Sequence, residues 1–304
     1  MAQVPFSHHI YAPLKVQDLT EGGCAEDENN WTPLQLAAFE GQLHVVDLLL
    51  QRGVDPNERA SGWYSKTALQ AAAITGHLAV VERLLVSGVD VNAAGGSNGG
   101  RTALTLASGA GHLDVVRRLV EVGADFNLPP SRYMGRTSLQ AAAEGGNLDI
   151  VKLLLDKGAY IDACPAHDSG RTALQAAAEG QHTEVVEFLI ARGAQVETPL
   201  ERYKGLSALQ AAAANGNVKL VNRLLDAGAN ANAPGSYYEG CTALFAAAQA
   251  GNAEVVGVLL DAGANVNQTA GNRHLTPIQV AKVKGHVELV IMLRNESRRN
   301  ASLP

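Results

Sequence analysis

Cysteine is scarce in this chain, and its three copies (Cys24, Cys164 and Cys241) share no C-x-x-C spacing. So odd and scattered a set excludes a disulfide framework and a zinc cluster, and a reducing compartment is expected. Aromatic residues are few, at 5% of the chain, while alanine supplies much of the hydrophobic content, which suits thin layers of closely packed helices. No apolar run reaches the ~18 residues that would cross a membrane. Residues 1–20 lack the charged start and apolar core of a secretion signal, so the sequons at Asn30, Asn295 and Asn300 are read as chance matches. No excess of basic residues is present. The net charge of -6 argues against the basic stripe of a nucleic-acid binder. Nucleophile elbow, P-loop, H-E-x-x-H and Rossmann fingerprints are also missing.

What is present is one unit, repeated. Its cleanest copy is Arg171-Thr172-Ala173-Leu174-Gln175-Ala176-Ala177-Ala178, then Val185-Val186-Glu187-Phe188-Leu189-Ile190, then Gly193-Ala194. Copies open at Thr32, Thr67, Thr102, Thr137, Thr172, Ser207, Thr242 and Thr276, in steps of 35 residues with a last step of 34. A fixed period of this size predicts a stacked array of two-helix units.

Each copy carries its own start and stop signals. Thr or Ser followed three residues later by Gln is a capping box, as at Thr67/Gln70, Thr137/Gln140, Thr172/Gln175 and Ser207/Gln210. Gly41, Gly76, Gly111, Gly146, Gly216, Gly251 and Gly285 end the first helix. Copy five departs, with Gln181 in that place and Gly180 before it, which predicts a shifted or strained turn. Leu78, Val81, Leu84 and Leu85 recur at the spacing of one apolar helix face, with Glu82 and Arg83 toward water. A second glycine, such as Gly88, closes this helix ahead of an Asp/Asn-rich turn and a long finger.

Thr32-Pro33-Leu34, Thr276-Pro277-Ile278, Gly76-His77-Leu78, Gly111-His112-Leu113 and Gly263-Ala264-Asn265-Val266-Asn267 resemble the ankyrin repeat over residues 31–294. Two features depart from it: Gln mostly replaces the histidine of Thr-Pro-Leu-His, and the period is two residues longer than the common 33. The resemblance implies an all-α solenoid of stacked helix-turn-helix units with protruding finger loops and terminal caps. Its repeats would start near 31, 66, 101, 136, 171, 206, 241 and 275. Residues 1–30 are expected to form an arm and cap helix, and residues 295–304 a flexible tail. His77, His112, His182 and His286 recur in phase and are read as turn residues.

The resemblance also implies a concave groove lined by fingers and first helices. The fingers carry Trp63, Tyr64, Tyr133, Tyr203, Tyr237 and Tyr238, and cations stand before the caps at Lys66, Arg101, Arg136 and Arg171. Tyr and Arg are residues of binding hot spots. Trp63, Tyr64, Arg101, Tyr133, Arg136, Arg171, Tyr203, Tyr237 and Tyr238 are therefore the candidate binding residues. Packing between fingers, and pairing of the cations with nearby carboxylates, are the competing structural readings. Glu144 and Glu179 occupy one place in adjacent copies, so they are candidates for an acid–base pair or for arginine partners. Short Thr105 and nearby Ser108 suggest a pocket, and Phe245 a filled one.

The primary expectation is a protein-interaction scaffold binding a protein partner. The alternative is a small-molecule binder or unusual enzyme using Glu144 or Glu179 in the groove near repeats two to six. An engineered consensus array is disfavoured by the irregular copies three, five and seven. A monomer in the cytoplasm or nucleus is expected, with no cofactor, metal, nucleic acid or membrane.

Overall fold

A computed structural model of the chain describes residues 31–58, 66–95, 100–131, 135–166, 170–198, 205–236, 240–270 and 274–301. All eight expected copies contain two helices. In chain order the layers are α1 (Pro33–Phe39) with α2 (Leu43–Gln51), α3 (Ala68–Thr75) with α4 (Leu78–Val86), α5 (Ala103–Ala110) with α6 (Leu113–Glu121), and α7 (Ser138–Glu144) with α8 (Leu148–Asp156). They continue with α9 (Ala173–Glu179) and α10 (Thr183–Ala191), α11 (Ala208–Ala214) and α12 (Val218–Asp226), α13 (Ala243–Ala250) and α14 (Ala253–Asp261), and α15 (Pro277–Lys284) and α16 (Val287–Ala301). First helices pack on first helices of the adjacent layers, and second on second. Strand structure among the described residues is one antiparallel bridge, Ala270 with Leu275, at the base of the last finger.

The first helices are short because their caps are strong at both ends. Thr67 Oγ1 accepts from the Gln70 N–H, and the Gln70 carboxamide oxygen accepts from the Thr67 N–H. The same reciprocal box forms at Thr32, Thr137, Thr172, Ser207 and Thr276. The other end of the glutamine does separate work. Gln70 Nε2 donates to Ala93 O at 2.8 Å, Gln140 to Ala163 O at 2.9 Å and Gln210 to Ala233 O at 3.1 Å. One buried amide thus starts the first helix and holds the base of the finger leaving the same layer.

Between layers the contact is made by small residues. Ala38, Ala73, Ala143, Ala178, Ala213 and Ala248 are fully buried, so neighbouring first helices approach closely. Val46, Val81, Val116, Val151, Val186, Val221 and Val256 fill the space behind them. On the outer face, Arg83 with Asp47 (2.5 Å), Arg192 with Asp156 (2.9 Å) and Lys219 with Glu187 (3.1 Å) bridge adjacent second helices. Exposed pairs of this kind add little stability each, so cohesion rests on the apolar stripe.

The turn of layer five is strained in place and is not shifted. Gln181 takes the left-handed conformation itself, at φ 60°. At the corresponding Gly146 (φ +71°) a Cβ would lie 2.4 Å from His182 Nδ1 of the next layer. Gln181 does carry that Cβ, and the next layer's Asn217 has turned to cap its own helix through Leu220 N at 3.1 Å. Asn147 and Asn252, in the same place, instead reach back to carbonyls of the preceding layer.

The expected arm and cap helix at 1–30 lie outside the described residues. The boundary expected at 295 falls inside a helix, since α16 continues to Ala301. Its polar end suits a solvated helix, with Arg299 3.9 Å from Glu296 at i,i+3 spacing.

Two stability changes follow from these contacts. Gln181→Gly is expected to raise the unfolding free energy by about 1 kcal/mol, because left-handed backbone costs a non-glycine residue about 1–2 kcal/mol and glycine's extra chain entropy offsets part of the gain. Denaturant unfolding measures it, and an unchanged value would mean that the turn holds no strain. Gln70→Ala, which strands a cap N–H and a finger carbonyl, is expected to cost about 2 kcal/mol. Gln279→Ala, at an exposed box, is expected to cost less than about 1 kcal/mol. Equal losses at the two sites would show that the finger bond contributes nothing.

Candidate functional site

The last residue or next-to-last residue of each first helix sits at one register position: Phe39, Ile74, Gly109, Glu144, Glu179, Ala214, Gln249 and Val283. From layer one to layer seven all are partly exposed, whereas the residue just before each is Ala or Ser at 0% exposure. Sequence constancy therefore ends where the surface begins.

The backbone under these residues is held by the next layer. His112 Nε2 lies 3.1 Å from Ile74 O, His182 Nε2 3.0 Å from Glu144 O and His286 Nε2 3.3 Å from Gln249 O. Asn147 donates to Gly109 O at 3.1 Å, Asn215 to Glu179 O at 3.0 Å and Asn252 to Ala214 O at 3.3 Å. These are helix-end carbonyls with no intrahelical partner, so the bonds satisfy groups that folding leaves open. Of the in-phase histidines, His112, His182 and His286 are thus turn residues with a specific partner.

Eight residues before each variable position stands a second line: Trp31, Lys66, Arg101, Arg136, Arg171, Leu206, Cys241 and Leu275. The two lines meet side by side. Trp31 and Phe39 pack edge to face, with centroids 5.1 Å apart. Arg136 Nε lies 3.1 Å from Glu144 Oε2, and its NH2 donates to Oε1 at 3.4 Å. Arg171 Nε pairs with Glu179 Oε2, and Arg171 NH2 donates to Glu179 Oε1 at 2.8 Å. Arg171 NH1 also comes within 3.9 Å of Glu144 Oε1, which joins layers four and five into one charge network. Burial pushes the Glu179 carboxyl above its ordinary value and Glu144 adds to this, while Arg171 and Arg136 pull it back.

Layers two and three have the cations without the acids. At the same eight-residue offset, Lys66 leads to Ile74 and Arg101 to Gly109. Lys66 Nζ stands 5.8 Å from the centre of the Trp31 ring. Burial, and then the neighbouring Arg101 guanidinium, hold the Lys66 ammonium below its ordinary value. Among the described residues Arg101 has no carboxylate within ion-pair distance.

The structure thus sorts the candidate binding cations. Arg136 has a side chain only 4% exposed and is committed to Glu144, so it is withdrawn from the accessible surface. Arg171 is a quarter exposed and shared between two carboxylates. Arg101 is partly exposed and uncompensated. Trp63, Tyr64, Tyr133, Tyr203, Tyr237 and Tyr238 lie outside the described residues. Lys66 stood in the cation ladder but outside the candidate binding set, and Trp31 in neither, although the eight-residue offset linking Arg136 to Glu144 leads from each to the variable line.

One further expectation is corrected by packing. No space opens at Thr105 and Ser108, which are 4% and 0% exposed. Thr105 Oγ1 lies 3.1 Å from Thr102 Oγ1, and Ser108 Oγ donates to Leu104 O at 2.7 Å, so each small side chain is drawn onto its own helix. Phe245 fills its place as expected, at 6% exposure. Burial pushes the Cys241 thiol up to about 11, which leaves it inert as a nucleophile. The carboxylates of Glu144 and Glu179 are both engaged by arginines, and this geometry gives no support to acid–base chemistry between them.

No helix among the described residues is long and apolar enough to cross a membrane. A search of curated proteins finds no match. Family models for ankyrin repeats match residues 29–61, 58–130, 129–199, 162–235 and 208–302. With every two-helix layer inside those matches, the chain belongs to the ankyrin repeat family.

Proposed function

We propose that this protein is a protein-interaction scaffold whose partner docks along the first-helix face. Ankyrin repeats are generally protein–protein interaction modules, and the family assignment sets that general role. The observation that carries the placement is the variable line from Phe39 to Gln249, set on a backbone held by the following layer. Stacking requires the buried alanines to be alike. It requires nothing of the exposed positions beside them, yet these run from aromatic through apolar, small and acidic to amide. A varied surface on a fixed frame binds with little ordering cost. The finger residues Trp63, Tyr64, Tyr133, Tyr203, Tyr237 and Tyr238, together with Arg101 and Arg171, are the proposed anchors for the partner.

The face is testable against the opposite side of the stack. Ala214→Arg places a long cation on the proposed face in layer six, whereas Val86→Arg alters the end of α4, where Val86 is 80% exposed. In capture from native extract with quantitative mass spectrometry, Ala214→Arg is expected to lower recovery of specific partners about tenfold, near 1.4 kcal/mol of binding. Val86→Arg is expected to leave it unchanged. If Ala214→Arg retained every partner, or only Val86→Arg lost them, the face would be misassigned.

A further inference from the structure

The repeat itself shows what is missing from its second and third layers. In layers four and five a cation before the cap meets a glutamate eight residues later, at the end of the first helix. The same offset from Arg101 leads to Gly109, and from Lys66 to Ile74. The two cations stand in adjacent layers, each depriving the other of an easy charge balance, and the neighbouring aromatic pair of layer one restricts water around Lys66. A Cβ built at Gly109 would have Ala141 nearest to it, with Cβ at 3.5 Å and O at 3.7 Å, both ordinary contacts, so a β-carbon fits there without a clash.

Resting on the reading of the first-helix face as the docking surface, we propose that Arg101 and Lys66 are the receptor for carboxylate side chains of an acidic partner segment. The partner's acid takes the seat beside Arg101 that Glu144 and Glu179 fill for Arg136 and Arg171 in their own layers. Charge complementarity selects the occupant. The chain's own solution to a cation in this register is a carboxylate, and layers two and three supply none. Phe39 and Trp31 continue the same line one layer further and receive an apolar residue of the segment. Packed helices are ~10 Å apart, and an extended chain covers that distance in about three residues. The segment therefore presents an apolar residue and two acids at steps of about three.

The probe is a fluorescent peptide of sequence Leu-Ser-Ser-Glu-Ser-Ser-Glu, compared with its Gln counterpart by anisotropy at low and raised salt. Wild-type protein is expected to bind the Glu peptide about tenfold more tightly than the Gln peptide, with the difference shrinking as salt screens the contact. Arg101→Gln is expected to abolish that preference. Gly109→Glu, which supplies the missing carboxylate from within, is expected to abolish it as well. Its melting temperature should not fall, because glutamate is a better helix former than glycine, so lost binding cannot be put down to lost folding. Equal affinity for the two peptides in the wild type, or a preference that survives Gly109→Glu, overturns the proposal. Should Ala214→Arg block capture of natural partners while Gly109→Glu leaves capture and peptide preference intact, the docking face stands and the carboxylate receptor falls.

Discussion

A helix ends with carbonyls that have nowhere to turn within the helix, and in this array the following layer answers them. Side chains after the left-handed turn residue, histidine at 112, 182 and 286 and asparagine at 147 and 252, reach back to the preceding first helix. Each such bond contributes about 0.5–1.5 kcal/mol net, and stacking adds it one interface at a time. Stability of this kind is a sum over neighbours. It also explains why the turn needs a left-handed residue without a side chain. A Cβ at Gly146 would stand where the His182 ring approaches. Layer five shows the consequence of breaking the rule: Gln181 keeps the backbone conformation, Asn217 lets go of the carbonyl, and Asn215 holds Glu179 O in its stead.

That constraint couples fold to surface. The carbonyls held in this way belong to the variable residues themselves: Ile74, Gly109, Glu144, Glu179, Ala214 and Gln249. Only the direction of the backbone is fixed by the neighbour, while the side chain is left to point outward with any chemistry. The same division appears at the helix start. Gln70, Gln140 and Gln210 are buried because they serve both cap and finger, whereas the residue just before the cap is free to be Trp, Lys, Arg, Leu or Cys. Two variable lines thus run along an otherwise uniform stack, eight residues apart in sequence and adjacent in space.

How much of this was legible beforehand depends on the range of the interaction. Thr67 with Gln70, and glycine at 76 and 88, act within one turn, and their spacing announces helix starts and stops directly. The strain at Gln181 was readable for the same reason. Thr105 and Ser108 misled because the reading weighed side-chain volume and not hydroxyl chemistry: both oxygens bond nearby atoms, and the helices close over them. The Arg136–Glu144 pair spans eight residues, a separation that is neither a helical i+4 neighbour nor a cross-layer step. Pairing with an arginine was one of the two readings open for Glu144, and the choice between them needs the cap, which brings the residue before the helix beside its end. Arg136 consequently looked like an exposed contact and is a buried one.

Seen along the stack, the two lines form a graded strip. It is aromatic in layer one, cationic in two and three, internally neutralised in four and five, and mostly apolar in six to eight, where Leu206, Cys241 and Leu275 stand before the caps. A strip built only for cohesion would pair every cation, because layers four and five show that one glutamate suffices and that the helix end accommodates it. Ile74 and Gly109 stand where that glutamate would be, and burial makes the omission costly at Lys66, whose ammonium is depressed by lost hydration and by Arg101. Retaining positive charge at a site that disfavours it is understandable if the charge is compensated only in a complex. The layers that neutralise themselves stand between a cationic stretch and an apolar one.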